Sequence, residues 1–343
     1  MPLARRSGAK RAIAQNPYNR SNKPPDMASF TDYCARFTTG LAMQWQNLRS
    51  SRPVIGDLPL TVSLTTHGPR TALVHLAIES IARNHRRPQR FVLWLDDSAR
   101  FRNPPAALRR LQRRGLEIRL SRNYGPHTKY YPVVQDRELS KRPLVTADDD
   151  ILYPRGWLDA LHDNHLRQPR LIHCYRARRV DFDDQGFTLY NRWPFARDTE
   201  PRLYHFATGV SGVIYPVEFL NQLARAGTGF ADCCARADDV WLHLQALRGG
   251  FGVRQISEHK QHFLVVPWTR ASALHRSNLV AADGETGNDA QIRASYNEAD
   301  IARLRHELEI HNLATASPTS RIAVEQSEVP GGRATRPLSG SLD

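Results

Sequence analysis

Three consecutive carboxylates, Asp148, Asp149 and Asp150, follow the short run Val145-Thr146-Ala147 and precede Ile151-Leu152-Tyr153-Pro154. Like charges this close repel, so a positive group is expected among them. A hard divalent cation is the simplest candidate: Mg2+ or Mn2+ takes one or two carboxylates and completes its shell with substrate phosphates. That chemistry points to a diphosphate-bearing substrate. The competing reading is a solvated acidic turn, with one aspartate capping a helix that begins near Gly156-Trp157.

A second acidic pair, Asp238-Asp239, opens a segment in which Val240, Leu244 and Leu247 share the core side of an expected helix that Gly249-Gly250 stops. A carboxylate at a helix N-terminus caps exposed N–H groups and complements the dipole, contributing about 1 kcal/mol. A cap explains one aspartate of the pair. The other is free to act as a general base, which needs only hydrogen-bond reach of an acceptor hydroxyl and a suitable pKa. Upstream, Tyr124-Gly125-Pro126-His127-Thr128-Lys129-Tyr130-Tyr131 joins a Gly-Pro turn to a lysine suited to a phosphate or a substrate hydroxyl. The same segment also reads as a surface loop whose aromatics plug the edge of the core. Small residues alternate along Thr208-Gly209-Val210-Ser211-Gly212-Val213, read as part of a strand, and would admit a ligand or another backbone. His259, His262 and His275 follow the second acidic motif, and His275 is the chosen nitrogen ligand for the metal.

The elements that must position these groups begin at Leu58. Leu60, Val62 and Leu64 alternate with Thr61, Ser63 and Thr65 as in a strand, which ends at Thr65-Thr66-His67-Gly68-Pro69. Val74, Ala77, Ile78 and Ile81 share one helical face; residues 91–95 form an apolar strand closed by Asp96-Asp97. A helix over 105–114, a strand over 116–120 and a fourth strand over 143–146 follow. Strands alternating with helices imply right-handed crossovers and a parallel sheet covered on both faces, with ligands beyond the carboxyl ends of the strands. Thr65-Thr66, Asp96-Asp97 and the triple aspartate would then line one edge. Residues 171–175 and 206–215 read as further strands. Residues 181–204, between them, read as a lid or an acceptor-binding loop, and 298–312 as a helix with Ile301, Leu304 and Leu308 inward.

The chain has 343 residues, is 41% hydrophobic and carries a formal charge of +14, which favours anionic partners such as phosphorylated substrates, nucleic acid or an acidic membrane surface. Much of the excess lies in the first fifty residues, with Arg5, Arg6, Lys10, Arg11, Arg20 and Lys23 beside Pro24 and Pro25. Residues 1–52 therefore read as a basic, largely disordered extension, 53–312 as the catalytic domain and 313–343 as a disordered tail, with a more globular composition already beginning at Met27. Four cysteines make no disulfide framework and contain no Cys-x-x-Cys pair. The N-terminus has no apolar h-region, and no apolar run reaches a spanning length. A cytoplasmic protein is expected, peripheral at most to the inner face of the cell membrane.

In their order, these motifs resemble the GT-A-fold glycosyltransferases, particularly the bacterial family-two-like enzymes that build surface polysaccharides and glycolipids. The resemblance spans roughly residues 58–296, with Asp148-Asp149-Asp150 in the place of the DxD motif. It implies a single α/β domain, a Rossmann-type mixed and mostly parallel sheet flanked by helices. It places Thr65 and Thr66 at the nucleotide pocket, Asp97 near the base, Lys129 and Asp149 with the donor, Asp148 at the ribose and the metal, and Asp150 and His275 on the metal, Mn2+ or Mg2+. Asp239 would be the base and Asp238 its reserve; this chain has Asp-Asp where the family commonly has Glu-Asp, leaving the choice between them open. The implied reaction moves a hexose, with inversion, from a nucleotide-diphosphate sugar to a hydroxyl of a glycan or lipid-linked acceptor. Two other classes compete: a metal-dependent phosphohydrolase, and a nucleic-acid-binding protein suggested by Arg109-Arg110 and Arg113-Arg114.

Overall fold

The computed structural model describes residues 27–267 and 287–315. The expectations for residues 1–26, for His275 and for the tail beyond 315 lie outside the described residues. The first half runs α1 (Met27–Arg49), β1 (Leu58–Thr66), α2 (Val74–Ala82), β2 (Pro88–Leu95), α3 (Ser98–Arg102), α4 (Ala106–Arg113), β3 (Glu117–Leu120), α5 (Tyr131–Gln135) and β4 (Leu144–Thr146). After the aspartates come β5 (Ile151–Leu152), α6 (Trp157–Arg167), β6 (Ile172–Cys174), β7 (Ala177–Arg179), β8 (Phe182–Asp183), β9 (Gly186–Phe187), β10 (His205–Ala207) and β11 (Val213–Tyr215). Then follow α7 (Val217–Ala226), α8 (Phe230–Cys233), α9 (Asp238–Gly249), β12 (Val253–Gln255), β13 (Leu264–Val265) and two helices, Asn288–Ser295 and Glu298–Thr315.

Seven strands form the central sheet in the order β12-β6-β11-β4-β1-β2-β3. Strands β3, β2, β1 and β4 are mutually parallel, as are β6 and β12, whereas β11 runs antiparallel to both β4 and β6. The alternation in β1 has a direct consequence. Leu60, Val62 and Leu64 face a core shared with Val74, Ile78 and Ile81 of α2, Leu108 and Leu111 of α4 and Leu158 and Leu161 of α6. On the opposite face, Val92, Trp94, Leu144 and Val213 pack with Leu220 of α7 and Val240 and Leu244 of α9. This is a mixed, mostly parallel sheet with helices on both sides, as the strand-helix alternation predicts.

The hydroxyl positions of β1 are buried too, and they hold the neighbouring loop. Thr61 Oγ1 donates to the Leu139 carbonyl at 3.2 Å, and Ser63 Oγ donates to the Lys129 carbonyl at 2.6 Å. Trp94 Nε1 on β2 donates to that same serine oxygen at 3.0 Å.

Two expectations need correction. The basic extension does not reach residue 52: α1 packs on α2 and α4 with Met43 and Asn47 buried. Its polar residues are drawn in by a carboxylate. Glu79, fully buried on α2, accepts from Gln46 Nε2 and Asn47 Nδ2 at 2.9 Å each and from Arg114 Nη2 at 3.0 Å. A buried charge this fully partnered is retained at modest cost, whereas an unpartnered one would not be.

The second correction concerns residues 206–215, which are not one strand. They divide into β10, a 3-10 turn Gly209–Ser211, and β11. The break occurs at Gly212, with φ +96°, where the indole of Trp157 lies so close that a Cβ would sit 2.4 Å from its ring. The loop 181–204 is likewise less open than expected. It contains the β8–β9 hairpin, buries Trp193 and Tyr204, and returns to bridge Phe195 with Arg178 of β7.

Replacement Gly212→Ala adds both a ring clash and a left-handed backbone penalty. Chemical denaturation is expected to show a loss of about 3 kcal/mol or more; an unchanged midpoint would contradict the packing.

Candidate active site

The parallel strands deliver β1, β2 and β4 to one edge, and the two acidic motifs meet there. Lys129 joins them. Its Nζ lies 3.1 Å from Asp148 Oδ1 and 3.1 Å from Asp238 Oδ2, with only 11% of the side chain exposed. Burial alone would lower the pKa of this ammonium, but Asp148, Asp238 and Asp239 outweigh it and hold the pKa well above the usual lysine value. The lysine ends the 3-10 turn Gly125–Lys129, which His127 pins against the chain before α9. The His127 ring is buried and stacked on Phe230, with centroids 4.0 Å apart. Burial lowers its pKa to about 4, so it is neutral: Nε2–H donates to the Cys234 carbonyl at 2.8 Å, and Nδ1 accepts from Tyr130 OH at 2.9 Å.

The three consecutive aspartates have separate fates. Asp149 points inward, 6% exposed, accepting from Thr66 Oγ1 at 2.6 Å and pairing with Arg70 Nη2. Asp150 Oδ2 pairs with the same guanidinium nitrogen at 2.7 Å, and its carbonyl accepts from Val266 N at 2.7 Å. Burial, then Arg70 acting in the opposite direction, leaves the Asp149 pKa at about 6. Asp150 also reaches about 6, raised first by burial and next by the charge of Asp148. None of them caps α6, whose N-cap is Gly156 with no side-chain cap.

Neither member of the second pair caps its helix, contrary to expectation. The N-cap of α9 is Ala237, with no side-chain cap bond. Asp238 turns to Lys129, while Asp239 Oδ1 accepts from the Gly209 backbone N–H at 3.1 Å. The 3-10 turn that splits the expected strand is what aims this N–H. A Cβ on Gly209 would lie 3.1 Å from that carboxylate oxygen and 3.4 Å from Lys129 Nζ, so the small residue admits both groups. Asp239 is pushed up to about 8, by burial first and by Asp238 second, with Lys129 acting against both.

Thr66, Lys129, Asp148, Asp149, Asp150, Asp238 and Asp239 are thus gathered at one corner. Two expected donor residues are not. Asp97 N-caps α3, accepting from Ala99 N at 2.8 Å and Arg100 N at 3.1 Å, and Thr65 Oγ1 donates to the Trp94 carbonyl at 3.3 Å. Both spend their polar atoms locally. The positive charge expected among the aspartates is supplied by the protein itself, through Arg70 and Lys129. Arg70 follows the turn at Gly68, whose φ of +52° redirects the chain after β1. A cation just beyond a strand-ending Gly-Pro turn was the available signal.

Asp148 and Asp150 suit a hard divalent cation. They alternate around buried Asp149, their carboxylates are 24% and 19% exposed, and the charge of Asp148 raises the pKa of Asp150. Among the described residues, no group of three or more His, Cys, Asp or Glu forms a closed metal cage. The pair fits an ion that completes its shell from substrate oxygens and water.

No family model matches the chain, and no curated protein does. Among solved structures, similarity is found to a mannosyltransferase from Pyrobaculum calidifontis in complex with GDP-Man and Mn2+, with TM-score 0.43, 16% identity and coverage of 87% of this chain and 90% of that one. GalNAc-T7 with UDP, GalNAc and Mn2+ gives TM-score 0.36 and 12% identity over 57% of this chain and 42% of that one. A CMP:2-keto-3-deoxy-manno-octonic acid synthetase complexed with CTP gives 0.33 and 12% over 57% and 87%.

Carbon-13 NMR of the Asp239 carboxyl is expected to titrate near pH 8, and Asp238→Asn to move that midpoint down by removing a like charge. The folded state binds this proton more tightly than the unfolded chain. The stabilisation is therefore complete below about pH 4 and lost as pH rises through about 8. A midpoint near 4 in the folded protein would contradict the buried setting.

Proposed function

We propose that this protein is a metal-dependent glycosyltransferase that moves a hexosyl group, with inversion, from a nucleoside-diphosphate sugar to a hydroxyl of a glycan or lipid-linked acceptor. The observation that carries the reading is the single buried ammonium of Lys129 between Asp148 and Asp238, which sets a candidate metal pair and a candidate base around one point. Asp148 and Asp150 would hold Mn2+ or Mg2+, and the ion, when bound, would stabilise the negative charge of the departing diphosphate.

The remaining roles belong to the chain. Asp239 removes the proton of the acceptor hydroxyl as its oxygen bonds to the anomeric carbon, and the bond from that carbon to the phosphate oxygen breaks. The bonding electrons leave with the nucleoside diphosphate. A single displacement of this kind inverts the anomeric centre. The raised pKa makes Asp239 a stronger base than an ordinary aspartate, with its active, ionised fraction growing up to about pH 8. Asp238 keeps Lys129 in place rather than competing for the proton. Arg70 and Thr66 hold Asp149 and so fix the direction of the carboxylates on either side of it.

Two of the four arginines behind the nucleic-acid reading are committed within the fold. Arg110 Nε donates to Asn47 Oδ1 at 2.9 Å and Arg114 pairs with buried Glu79, leaving Arg109 and Arg113 as the exposed arginines of that stretch. Among the described residues no helix is long and apolar enough to cross a membrane. The basic balance of the sequence suits an enzyme that works on an anionic donor and, at the inner face of the membrane, a lipid-linked acceptor.

Thermal denaturation with UDP or GDP and Mn2+ tests the donor site. At a ligand concentration one hundred times Kd, stabilisation of about 2.7 kcal/mol is expected, and Asp150→Asn should abolish the metal-dependent part. Asp239→Asn should retain the shift yet slow transfer at least ~100-fold. Nucleotide stabilisation that ignores Mn2+ and Asp150, or sugar release without any acceptor product, would sink the transferase reading, the latter in favour of a phosphohydrolase.

A further inference from the structure

Beside Asp239 lies a second group of charges, of the opposite sign. The guanidinium of Arg176 sits 4.9 Å from the centre of the Phe195 ring, that of Arg178 4.4 Å from it, and Lys260 Nζ 3.5 Å from it. Arg178 also stacks on Tyr190 at 4.9 Å. One aromatic face attracts a cation by about 0.5–2 kcal/mol and neutralises none of its charge. Three cations around one ring repel one another. Among the described residues none of the three forms an ion pair; Arg178 Nη1 donates to the neutral Trp193 carbonyl at 2.5 Å, and the Nε atoms of both arginines are buried without a hydrogen-bond partner.

The group is assembled by backbone contacts from three segments, which makes it a built feature rather than a chance meeting of long side chains. Thr208 N donates to the Arg176 carbonyl at 3.0 Å, and the next residue, Gly209, donates to Asp239. Gln261, between Lys260 and His262, donates from its N–H to the Tyr175 carbonyl at 3.1 Å and accepts from Ser211 Oγ at 2.7 Å. Phe195 pairs across to Arg178. The crowding is felt electrostatically: burial first, then Arg176 and Arg178, lowers the Lys260 pKa, and burial, Arg176 and Lys260 lower that of His262. Asp239 is the acidic-corner carboxylate whose charge reaches Arg176. The cluster therefore adjoins the proton-accepting end of the corner, whereas Arg70 closes the other end at Asp149 and Asp150.

We propose that Arg176, Arg178 and Lys260 form a subsite for a negatively charged group of the acceptor, a sugar carboxylate or a phosphate, held next to the hydroxyl that Asp239 deprotonates. Calling the bound molecule an acceptor rests on the transferase reading; the anion subsite itself rests on the cluster. Phe195 and Tyr190 hold the cations in place by their ring faces, and the terminal nitrogens of Arg176 and Lys260, with the Nη2 of Arg178, are the donors offered to a planar or tetrahedral anion. Segment 181–204 would thus serve acceptor recognition, with Phe195 and Tyr190 as its contributions.

Isothermal titration of the full chain with three probes tests this: para-nitrophenyl glucoside, para-nitrophenyl glucuronide and the phosphorylated glucoside. The charged probes are expected to bind at least about tenfold more tightly than the neutral one, and whichever of them binds better identifies the anion. The preference should collapse in Arg176→Gln/Arg178→Gln and shrink in Lys260→Gln, whose exposed position keeps the fold safe. Mn2+-dependent stabilisation by UDP or GDP should persist in all three proteins. Equal or absent binding of the three probes by the unaltered protein would overturn the subsite, as would a charge preference that survives in Lys260→Gln at full size. A charge preference without any nucleotide binding would instead remove the transferase reading and leave the anion subsite standing.

Discussion

One buried ammonium organises this molecule. Lys129 is buried, and its ammonium lies 3.1 Å from each of two carboxylates, Asp148 and Asp238, from segments ninety residues apart in sequence. Burying the pair of acids without it would leave like charges facing each other in a setting that already raises Asp239 to about 8. Burying the lysine without them would be equally unfavourable. The same residue's carbonyl is tied to Ser63 in the middle of the sheet, so the charge balance of the corner and the position of the central strand are parts of one arrangement.

The reversed strand β11 explains why the two acidic motifs meet at all. In a wholly parallel sheet, the loop preceding a strand lies at the edge opposite to the one where its neighbours end. Because β11 runs against β4, with Val213 opposite Thr146, the Gly209–Ser211 turn enters at the edge where β4 gives way to Asp148. The turn then presents a backbone N–H to Asp239 rather than to another strand.

Much of the framework was legible because it rests on local periodicity. The alternation of β1, the apolar run of β2 and the helical spacing of α2 and α9 each determine a buried face within a few residues. The acidic motifs and Lys129 stood out for a related reason, since their chemistry is unusual wherever they fall. What escaped was set by distant partners. Arg70 meets Asp149 and Asp150 across some eighty positions, and the Gly-Pro turn beside it marks a cation at a strand end without naming its partners. The pull of buried Glu79 on Asn47 and Gln46 made a docked helix out of part of a basic extension. Asp97 shows the converse: an acidic residue expected near the nucleotide base also has a local structural role, as the N-cap that accepts from two amide N–H groups of the next helix. The Trp157 ring against Gly212 is again nonlocal, and it breaks what period alone reads as one continuous strand.

The docking of α1 sets a boundary on trimming the chain from its N-terminal side. Asn47 and Gln46 lie in the last turn and a half of that helix, so shortening from residue 27 first removes turns that contribute little to the Glu79 network. Once the cut passes Met43, the remaining stub is shorter than one that can stay helical on its own, and it can no longer seal the carboxylate from solvent. Shortening is therefore limited by the buried anchor of the helix, because losing it uncovers one internal acid.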